Sequence, residues 1–260
     1  MENLILGDFH SHTVFSHGKG TIEDNVKKAI EKGLKAIAIT DHGFGQKFAG
    51  ITPKSFLEMQ KEVERLKPLY PQIKILLGVE ANIVNKDGKV DLTKEQAEMM
   101  DIILCGFHMS ATEWKIKSLF DMVPQAILWK MGSRSTWQRE INTKTYLNVI
   151  ENYPIDVLTH PGHTLDVNYL DIGNACANKG TYIEISSRHK IPTEEALLEL
   201  LKTDVKFIIN SDAHKVNEIG EYNYAVSLMN KYKLQDRVVN YKNIDFPLRS
   251  KKKWIIQEKL

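Results

Sequence analysis

The sequence has few of the features that membrane, disulfide-rich or zinc-thiolate proteins need. It contains two cysteines, Cys105 and Cys176, which lie far apart and belong to no CxxC unit. A disulfide framework or a thiolate zinc site is therefore not expected. No apolar run is long enough to span a bilayer, and the start of the chain, MENLILGDFH, lacks a basic segment followed by an apolar one. We expect reduced thiols and a cytoplasmic location.

The chain also has little net charge, at +2 from 35 basic and 33 acidic residues. No strong global field would therefore recruit nucleic acid or a membrane surface. The basic stretch at 249–253 is more typical of a solvated terminus than of a nucleic-acid patch. Apolar residues make up 42% of the 260 residues, so the chain can bury a sizeable core.

Short apolar runs alternate with amphipathic segments, and no internal repeat is present. The predicted strands are Leu4–Phe9, Ala36–Thr40, Ile73–Val79, Ile102–Phe107, Ile155–Thr159, Tyr182–Ile185 and Lys206–Asn210. The predicted helices are Thr21–Lys32, Pro53–Lys67, Thr93–Met99, Ile141–Asn152, Val167–Asn178, Thr193–Leu201 and Asn217–Lys231. Alternation of this kind predicts βα units around a parallel sheet. Seven units favour a closed or nearly closed α/β barrel, although a doubly wound open sheet fits the same pattern.

We predict one domain over residues 1–260, with an insertion at about 111–139. The insertion is less regular than the rest and holds Trp114, Trp129 and Trp137. These tryptophans are interpreted first as core, and the insertion itself as a lid or an interface. Asn85–Gly88, with the sequence NKDG, predicts a turn and a small hairpin.

Histidines and carboxylates follow the predicted strands. In parallel α/β folds the carboxyl ends of the strands carry the functional residues. The residues at or just after these ends are His10, His12, His17, Asp41, His42, Glu80, His108, His160, Glu184, Asp212 and His214. All but two of the nine histidines belong to this set, and none lies in a predicted helix. The pattern predicts one shared site on one rim of the barrel.

These residue types suit zinc, manganese and iron. His10 and His12 stand at i and i+2 after a strand, so both side chains can point to one side. Four ligands close a structural zinc site, so a set this large suggests two or three ions, with Glu80 as a bridge. Each histidine, taken alone, could instead be a surface residue or a hydrogen-bonded core residue. This alternative is strongest for His17. Glu184 has the alternative of orienting a ligand.

The motifs DFHSHT, SHG, AIAITDHG, GVEAN, GFHMS, THPGH and NSDAH resemble, in order, those of the PHP (polymerase and histidinol phosphatase) family. The resemblance spans roughly residues 5 to 215. It implies a distorted seven-stranded TIM-like barrel with a trinuclear metal centre, closest to the histidinol-phosphatase branch. The implied ligand sets are His10, His12, Glu80 and Asp212 for one ion, then Glu80, His108 and His160, then His17, His42 and His214.

Metal-bound hydroxide is the nucleophile that such a centre would supply for phosphoester hydrolysis. We expect a small phosphate monoester as substrate, histidinol phosphate among them. Asp41, His163 and His189 are the candidate proton donors to the leaving group. Arg188 is a candidate for binding phosphate oxygens, with an ion pair to Glu184 or solvent exposure as the equal alternative. For Arg134 and Arg139 we favour a position on the solvated surface.

Other functions remain open from the residues alone. The same centre could act as a phosphodiesterase or exonuclease on oligonucleotides, although no basic stripe with interleaved aromatics supports this. A metal-binding regulator without activity would be favoured by lost ligands, and none is lost. Amidohydrolase barrels also begin with an HxH motif, but Glu80 in the bridging place favours phosphoesters. The metal, the oligomeric state and the role of the insertion are not fixed by the sequence.

Overall fold

The computed structural model describes residues 4–46, 49–109, 122–133 and 135–251. Seven parallel strands lie side by side in chain order: β1 (Gly7–Asp8), β2 (Ala36–Ile39), β3 (Lys74–Asn82), β4 (Ile102–Gly106), β5 (Val157–Leu158), β6 (Tyr182–Ser186) and β7 (Phe207–Asn210). This order never reverses, whereas a doubly wound sheet needs a reversal point. The predicted (β/α)7 TIM-like barrel is confirmed, and the open sheet is excluded.

Helices connect the strands on the outside of the barrel. They are α1 (Ile22–Glu31), α2 (Pro53–Leu69), α3 (Lys94–Glu98), α4 (Val123–Lys130), α5 (Thr136–Asn152), α6 (Tyr169–Lys179), α7 (Glu194–Leu200) and α8 (Asn223–Lys231). The predicted capping box of α1 is present, because the Thr21 hydroxyl accepts from the Asp24 N–H and the Asp24 side chain accepts from the Thr21 N–H. Among the described residues no helix combines the length and apolar character that crossing a membrane requires.

Several element boundaries differ from the sequence predictions. Helix α2 continues through Pro68 to Leu69, because Pro68 is in an exposed last turn where a missing N–H costs little. Helix α5 begins at Thr136, so the end of the predicted insertion is helical. The predicted helix at 217–231 is split into a 3-10 turn, Val216–Glu218, and α8, with Gly220 between them at φ 75°.

Two clusters of buried apolar side chains form the core. The larger lies between the strands and the surrounding helices, and the smaller includes Phe9, Leu104, Val157 and Ile208. Part of the insertion, including Trp114 and Arg134, lies outside the described residues. Trp129 is half-buried and donates from its indole N–H to the Gly162 carbonyl, whereas Trp137 is 65% exposed, so Trp137 is not a core residue.

Candidate metal centre

The side chains that follow the strands meet at one end of the barrel. We use the name histidine–carboxylate cluster for His10, His12, His17, His42, Glu80, His108, His160, Asp212 and His214. Short backbone bridges align this rim, with Ser11 paired to Ala213 and His42 paired to Glu80. Most members are buried, and His17 is the most exposed. The structure therefore brings together all nine residues predicted as metal ligands.

Glu80 lies at the centre of the cluster. Its Oε1 is 3.0 Å from Nε2 of His160 and 3.5 Å from Nε2 of His108. Its Oε2 is 3.0 Å from Nδ1 of His42 and 3.3 Å from Nε2 of His10. One carboxylate is thus shared among imidazoles that come from four different strands. This is the arrangement expected of a bridging ligand.

Asp212 forms a second centre beside the first. Its Oδ1 is 3.3 Å from Nε2 of His12, 3.4 Å from Nδ1 of His214 and 3.6 Å from Nε2 of His10. Its Oδ2 is 2.9 Å from Nε2 of His189. His189 was predicted as a proton donor, and its ring also belongs to a group with His160 and Asp212 that could hold an ion.

His17 joins the cluster through ring contacts. Its ring centroid is 4.7 Å from that of His42, with the planes 6° apart, and 4.3 Å from that of His214. Asp41 anchors the loop that carries His17. The Asp41 carboxylate accepts hydrogen bonds from the Thr13 N–H at 2.7 Å, the Thr13 hydroxyl at 2.6 Å and the Ser16 hydroxyl. Asp41 is fully buried and engaged in holding this loop.

Several buried polar atoms of the cluster make no well-directed hydrogen bond to the described residues, although some of them lie close to one another. They are Nδ1 of His12, Nδ1 of His42, Oε2 of Glu80 and Oδ1 of Asp212. A buried polar atom without a partner is costly, and in native proteins it calls for an explanation such as a bound ion. All four of these residues belong to groups whose ligand atoms lie within 4.8 Å of one another. The residues present therefore fit divalent metal ions.

The charges of the cluster also favour cations. Burial alone would raise the pKa values of Glu80 and Asp212, but the neighbouring imidazoles hold both well below the usual range. Burial, together with His42, lowers the pKa of His12 well below its usual value. Both carboxylates are thus ionised, and the neutral imidazole of His12 lies beside Asp212. Neutral histidine and ionised carboxylate are the forms that bind metals.

Glu184 supports the cluster from β6. Its Oε1 is 2.7 Å from Nδ1 of His10 and accepts from Nδ2 of Asn210 at 3.1 Å, while its Oε2 accepts from the His160 N–H at 3.2 Å. A carboxylate on the far nitrogen of a ligand imidazole fixes the tautomer and raises its basicity. The pKa of His10 reflects this, because the nearby carboxylates outweigh the effect of burial and raise it well above its usual value.

Two cluster residues have unusual backbone geometry. His160 has φ 30° and Asp212 has φ 56°, in the left-handed region that most non-glycine residues avoid. Strained backbone of this kind is concentrated at functional sites. His160 directly follows Thr159, and Asp212 directly follows Ser211. The unusual backbone geometry therefore occurs where the chain leaves the barrel and turns.

A cavity of about 390 Å³ opens onto the cluster. Its lining residues are His17, His42, Gln46, Ala49, Glu80, His108, Arg188, His189, Asp212 and His214. Arg188 is paired with Glu218, not with Glu184, through a 3.1 Å hydrogen bond from its guanidinium. The ring of His163 lies 4.0 Å from that of His189, and burial together with His189 lowers the pKa of His163 to about 4. Asp41 and His163 do not line the cavity.

Some supporting residues had no signal in the sequence. The Thr159 hydroxyl donates to Oε1 of Glu80 at 2.8 Å, and Asn210 orients Glu184. Both are strand-end residues beside predicted ligands, and their types alone do not separate them from ordinary buried polar residues. Arg139 pairs with Asp166 through a 3.1 Å contact, as its predicted surface role allows.

Comparison with known proteins supports the same family as the motifs. The PHP domain family matches residues 8–241. A protein from Caldanaerobacter subterraneus subsp. tengcongensis with the name "probable phosphatase" is 26% identical, covering 100% of this chain and 94% of its own. Another "probable phosphatase", from a Thermoanaerobacter species, is 29% identical and covers 91% of this chain and 90% of its own.

A solved structure has the same fold. The histidinol phosphate phosphatase of Lactococcus lactis, in complex with zinc, L-histidinol and phosphate, superposes with a TM-score of 0.60. It is 17% identical and covers 87% of this chain and 93% of its own. The barrel, the gathered histidines and carboxylates and the family match agree, so this chain belongs to the PHP domain family and is an enzyme of the phosphatase class.

Proposed function

We propose that this protein is a metal-dependent phosphatase that hydrolyses small phosphate monoesters at the histidine–carboxylate cluster. The observation that carries the proposal is the pair of buried carboxylates, Glu80 and Asp212, each shared among imidazoles from several strands. Histidinol phosphate is a candidate substrate. The solved relative that holds zinc, L-histidinol and phosphate supports this choice, since it has the same fold.

The cluster would hold two or three ions of zinc, manganese or iron. His10, His12, Glu80 and Asp212 would bind one, Glu80, His108 and His160 a second, and His17, His42 and His214 a third. The structure contains closely related groups, namely His10 with His12 and Asp212, and His42 with Glu80 and His108. His12 with His42 and His214 forms a further group. Glu80, which faces imidazoles on both of its oxygens, suits the shared position.

Divalent ions in such a site supply an activated water and counter-charge for the phosphoryl oxygens. The chain itself would orient the ester. Arg188 lines the cavity, and its guanidinium could bind two phosphate oxygens in place of Glu218. Its side chain is 37% exposed, so it can reach an incoming substrate.

His189 is our preferred proton donor to the leaving alcohol. It lines the cavity and its Nε2 contacts Asp212 at 2.9 Å. His163 is neutral near pH 7, because its pKa is lowered to about 4, so it lacks the charged form from which a proton donor would act. Asp41 is engaged with Thr13 and Ser16 and does not face the cavity.

The size of the cavity favours small substrates over oligonucleotides. A volume of about 390 Å³ is at the lower end of the range for small-molecule pockets. Histidines and two carboxylates, together with Arg188, line much of it, whereas a nucleic-acid groove is marked by a basic stripe. Two alternatives remain for an experiment to separate from a monoester phosphatase: a phosphodiesterase and a non-catalytic metal-binding regulator.

The test is phosphate release from a panel of esters, with metal content measured on the same preparation. The panel contains histidinol phosphate, p-nitrophenyl phosphate and a short oligonucleotide. We expect the monoesters to be hydrolysed, and a double variant with His10→Ala and Asp212→Ala to lose both metal and activity. Asp204→Ala, an exposed change away from the cluster, is the matched control and should keep both.

Other results would redirect the proposal. Cleavage of the oligonucleotide alone would keep the site but refute the monoester substrate. Bound metal without hydrolysis of any ester, whichever metal is supplied, would favour the regulator.

A further inference from the structure

A buried carboxylate, Asp91, lies behind the histidine–carboxylate cluster. The predicted NKDG hairpin brings it there, since Ile83 pairs antiparallel with Val90 and the Val84 N–H donates to the Lys89 carbonyl at 2.8 Å. The Asp91 N–H then donates to the Asn82 carbonyl at 3.1 Å. The hairpin thus returns the chain to the end of β3 and places Asp91 beside Asn82.

The Asp91 carboxylate fixes the orientation of the Asn82 side chain. It accepts hydrogen bonds from the Asn82 N–H at 2.6 Å, from Nδ2 of Asn82 at 2.9 Å and from the Gly45 N–H at 2.9 Å. Because Nδ2 of Asn82 donates to Asp91, its Oδ1 must point the other way. That oxygen accepts from Nε2 of Gln46 at 3.0 Å, which agrees with this orientation.

Asn82 in turn determines which nitrogen of His108 carries the proton. Oδ1 of Asn82 is 2.6 Å from Nδ1 of His108. An amide oxygen can only accept a hydrogen bond, so Nδ1 must be the protonated nitrogen. The lone pair is then on Nε2, which faces Glu80 at 3.5 Å. This is the tautomer that a metal ligand needs on the cluster side.

Asp91 also supports the loop that begins at His42. The loop passes so close to the carboxylate that a Cβ at Gly43 or at Gly45 would lie 2.6 Å from atoms of Asp91. Only glycine allows this approach, which places the Gly45 N–H on the carboxylate. The Gly43 N–H donates to the Glu80 carbonyl at 2.8 Å. His42 is thereby held beside Glu80.

We infer that Asp91, acting through Asn82 and the 43–45 loop, is a positioning residue for the His42–Glu80–His108 group. One carboxylate would set the tautomer of His108 and the backbone of His42, and so the affinity of that group for an ion. The inference rests on the proposed metal centre. It adds two residues, Asn82 and Asp91, neither of which lines the cavity.

The test uses the full chain and two readouts that need no substrate. The first is the tautomer of His108 in metal-free protein, read from long-range proton–nitrogen NMR spectra and assigned with a His108→Gln variant. The second is the affinity for Zn²⁺ alone, from competition with a chelator. Asn82→Leu removes the oxygen that accepts from His108 and keeps a side chain of similar size. Asp91→Asn places an amide donor against the N–H groups of Asn82 and Gly45, which donate to Asp91. Asp156→Asn is the matched control.

Asp156 suits that role because it is also a buried carboxylate that accepts from backbone N–H groups, those of Ile103 and Ser250, each at 2.8 Å. It lies at the opposite, amino end of the strands. The control should keep the His108 tautomer and the wild-type zinc affinity. Any loss it shows measures the general effect of weakening a buried carboxylate.

We expect wild-type His108 to be protonated on Nδ1 and both test variants to populate the Nε2–H form. Zn²⁺ affinity at one site should fall by about 10- to 100-fold, the usual effect of losing a residue that orients a metal ligand. The double variant with Asn82→Asp and Asp91→Asn offers an acceptor to His108 again and a donor behind it. It should recover the Nδ1–H form.

The double variant also decides the case if Asn82→Leu does not fold. An unchanged tautomer and unchanged Zn²⁺ affinity in Asp91→Asn, or a double variant that stays on the Nε2–H form, would overturn the inference. Neither readout contains a phosphate ester. A protein that binds zinc as described but hydrolyses nothing would therefore refute the proposed function and leave the role of Asp91 standing.

Discussion

At the scale of single residues, the cluster holds its imidazoles by two different chemical means. His10 has a carboxylate on its far nitrogen, from Glu184, whereas His108 has the neutral amide oxygen of Asn82. A carboxylate makes an imidazole a stronger electron donor, while an amide fixes only its tautomer. The ions on the two sides of Glu80 would therefore meet ligands of unequal basicity.

Replacing Glu184 with Gln tests this difference. Gln keeps the shape of the side chain but removes the charge behind His10 and offers a donor where Asn210 already donates. We expect Zn²⁺ affinity to fall by about 10- to 100-fold, measured by chelator competition on the purified protein. Glu199→Gln, a change at a surface residue that pairs with Lys202, should leave affinity unaltered. Equal affinities in Glu184→Gln and wild type would contradict a role for that charge.

The ligand positions were predictable from sequence, and so was the orienting role of Glu184, but the supports Asn82 and Asp91 were not. His10, His12 and Asp212 directly follow apolar runs, and a general rule of parallel sheets then places them on one rim. No such rule applies to Asp91, which reaches Asn82 only because a hairpin folds back by a particular length. His189 was predicted to lie near the site, yet its contact with Asp212 depends on the turn after β6.

At the scale of elements, a charged cluster connects α1 to α2 on the outside of the barrel. Glu23 of α1 accepts from Arg65 at 2.6 Å and from the Tyr70 hydroxyl at 2.7 Å, and it pairs with Lys27 at 2.9 Å. The hydrogen bonds from Lys27, Tyr70 and Arg65 lower the pKa of Glu23 to about 2. Glu23 therefore ties two helices together only while it is ionised.

Stability should depend on pH through this residue. A carboxyl group whose pKa is lowered in the folded state stabilises the fold above its unfolded-state pKa, and the effect is lost as pH falls toward the folded-state value. We expect Glu23→Gln to melt at a lower temperature than wild type near neutral pH. The gap should narrow as pH falls from about 4.5 toward about 2, as followed by circular dichroism.

Glu58→Gln provides the comparison, because Glu58 is an exposed residue of α2 outside the charged cluster. The melting temperature of Glu58→Gln should not differ from that of the wild type in a pH-dependent way. A Glu23→Gln difference that stayed constant over the acid range would mean that charge is not its cause.

Element boundaries show where local sequence rules stop. Pro68 was expected to end α2, but the helix ends in solvent, where the lost hydrogen bond of a proline is cheap. The predicted helix at 217–231 ignored Gly220, whose positive φ breaks it. Strands β2, β4, β6 and β7 agree with prediction within a residue or two, because continuous apolar runs mark strands buried on both faces.

At the scale of the whole molecule, the barrel is completed between its first and last strands without a regular ladder. At the rim of the cluster Ser11 pairs with Ala213. At the other end the segment 238–241 fills the gap, with Val238 paired to Phe207 and Tyr241 paired to Ile5. The buried side chain of Asn240 completes this closure by bonding to both neighbouring strands.

Asn240→Leu should therefore destabilise the barrel. Asn240 donates to the Gly7 carbonyl at 3.0 Å and to the Ile209 carbonyl at 2.6 Å, and it accepts from the Ile209 N–H at 3.0 Å. Leaving buried backbone groups without these partners costs about 1–3 kcal/mol each, so we expect a loss of about 2–4 kcal/mol in the free energy of unfolding. Urea denaturation measures it.

The exposed Asn243 provides the control, since its side chain bonds locally to Asp245. Asn243→Leu should change the unfolding free energy by less than about 0.5 kcal/mol, as surface changes usually do. An Asn240→Leu protein as stable as this control would show that the closure contributes little.

The spread of the cluster along the chain has a consequence for how the protein is made. A ribosome releases His10 and His12 early, whereas Asp212 and His214 emerge only after all seven strands. Until then the imidazoles of the nascent polypeptide are far apart in an unfolded chain, where they would bind an ion only weakly. Metal would therefore bind only to the finished barrel, and a prematurely terminated chain would lack the residues that complete the proposed centre.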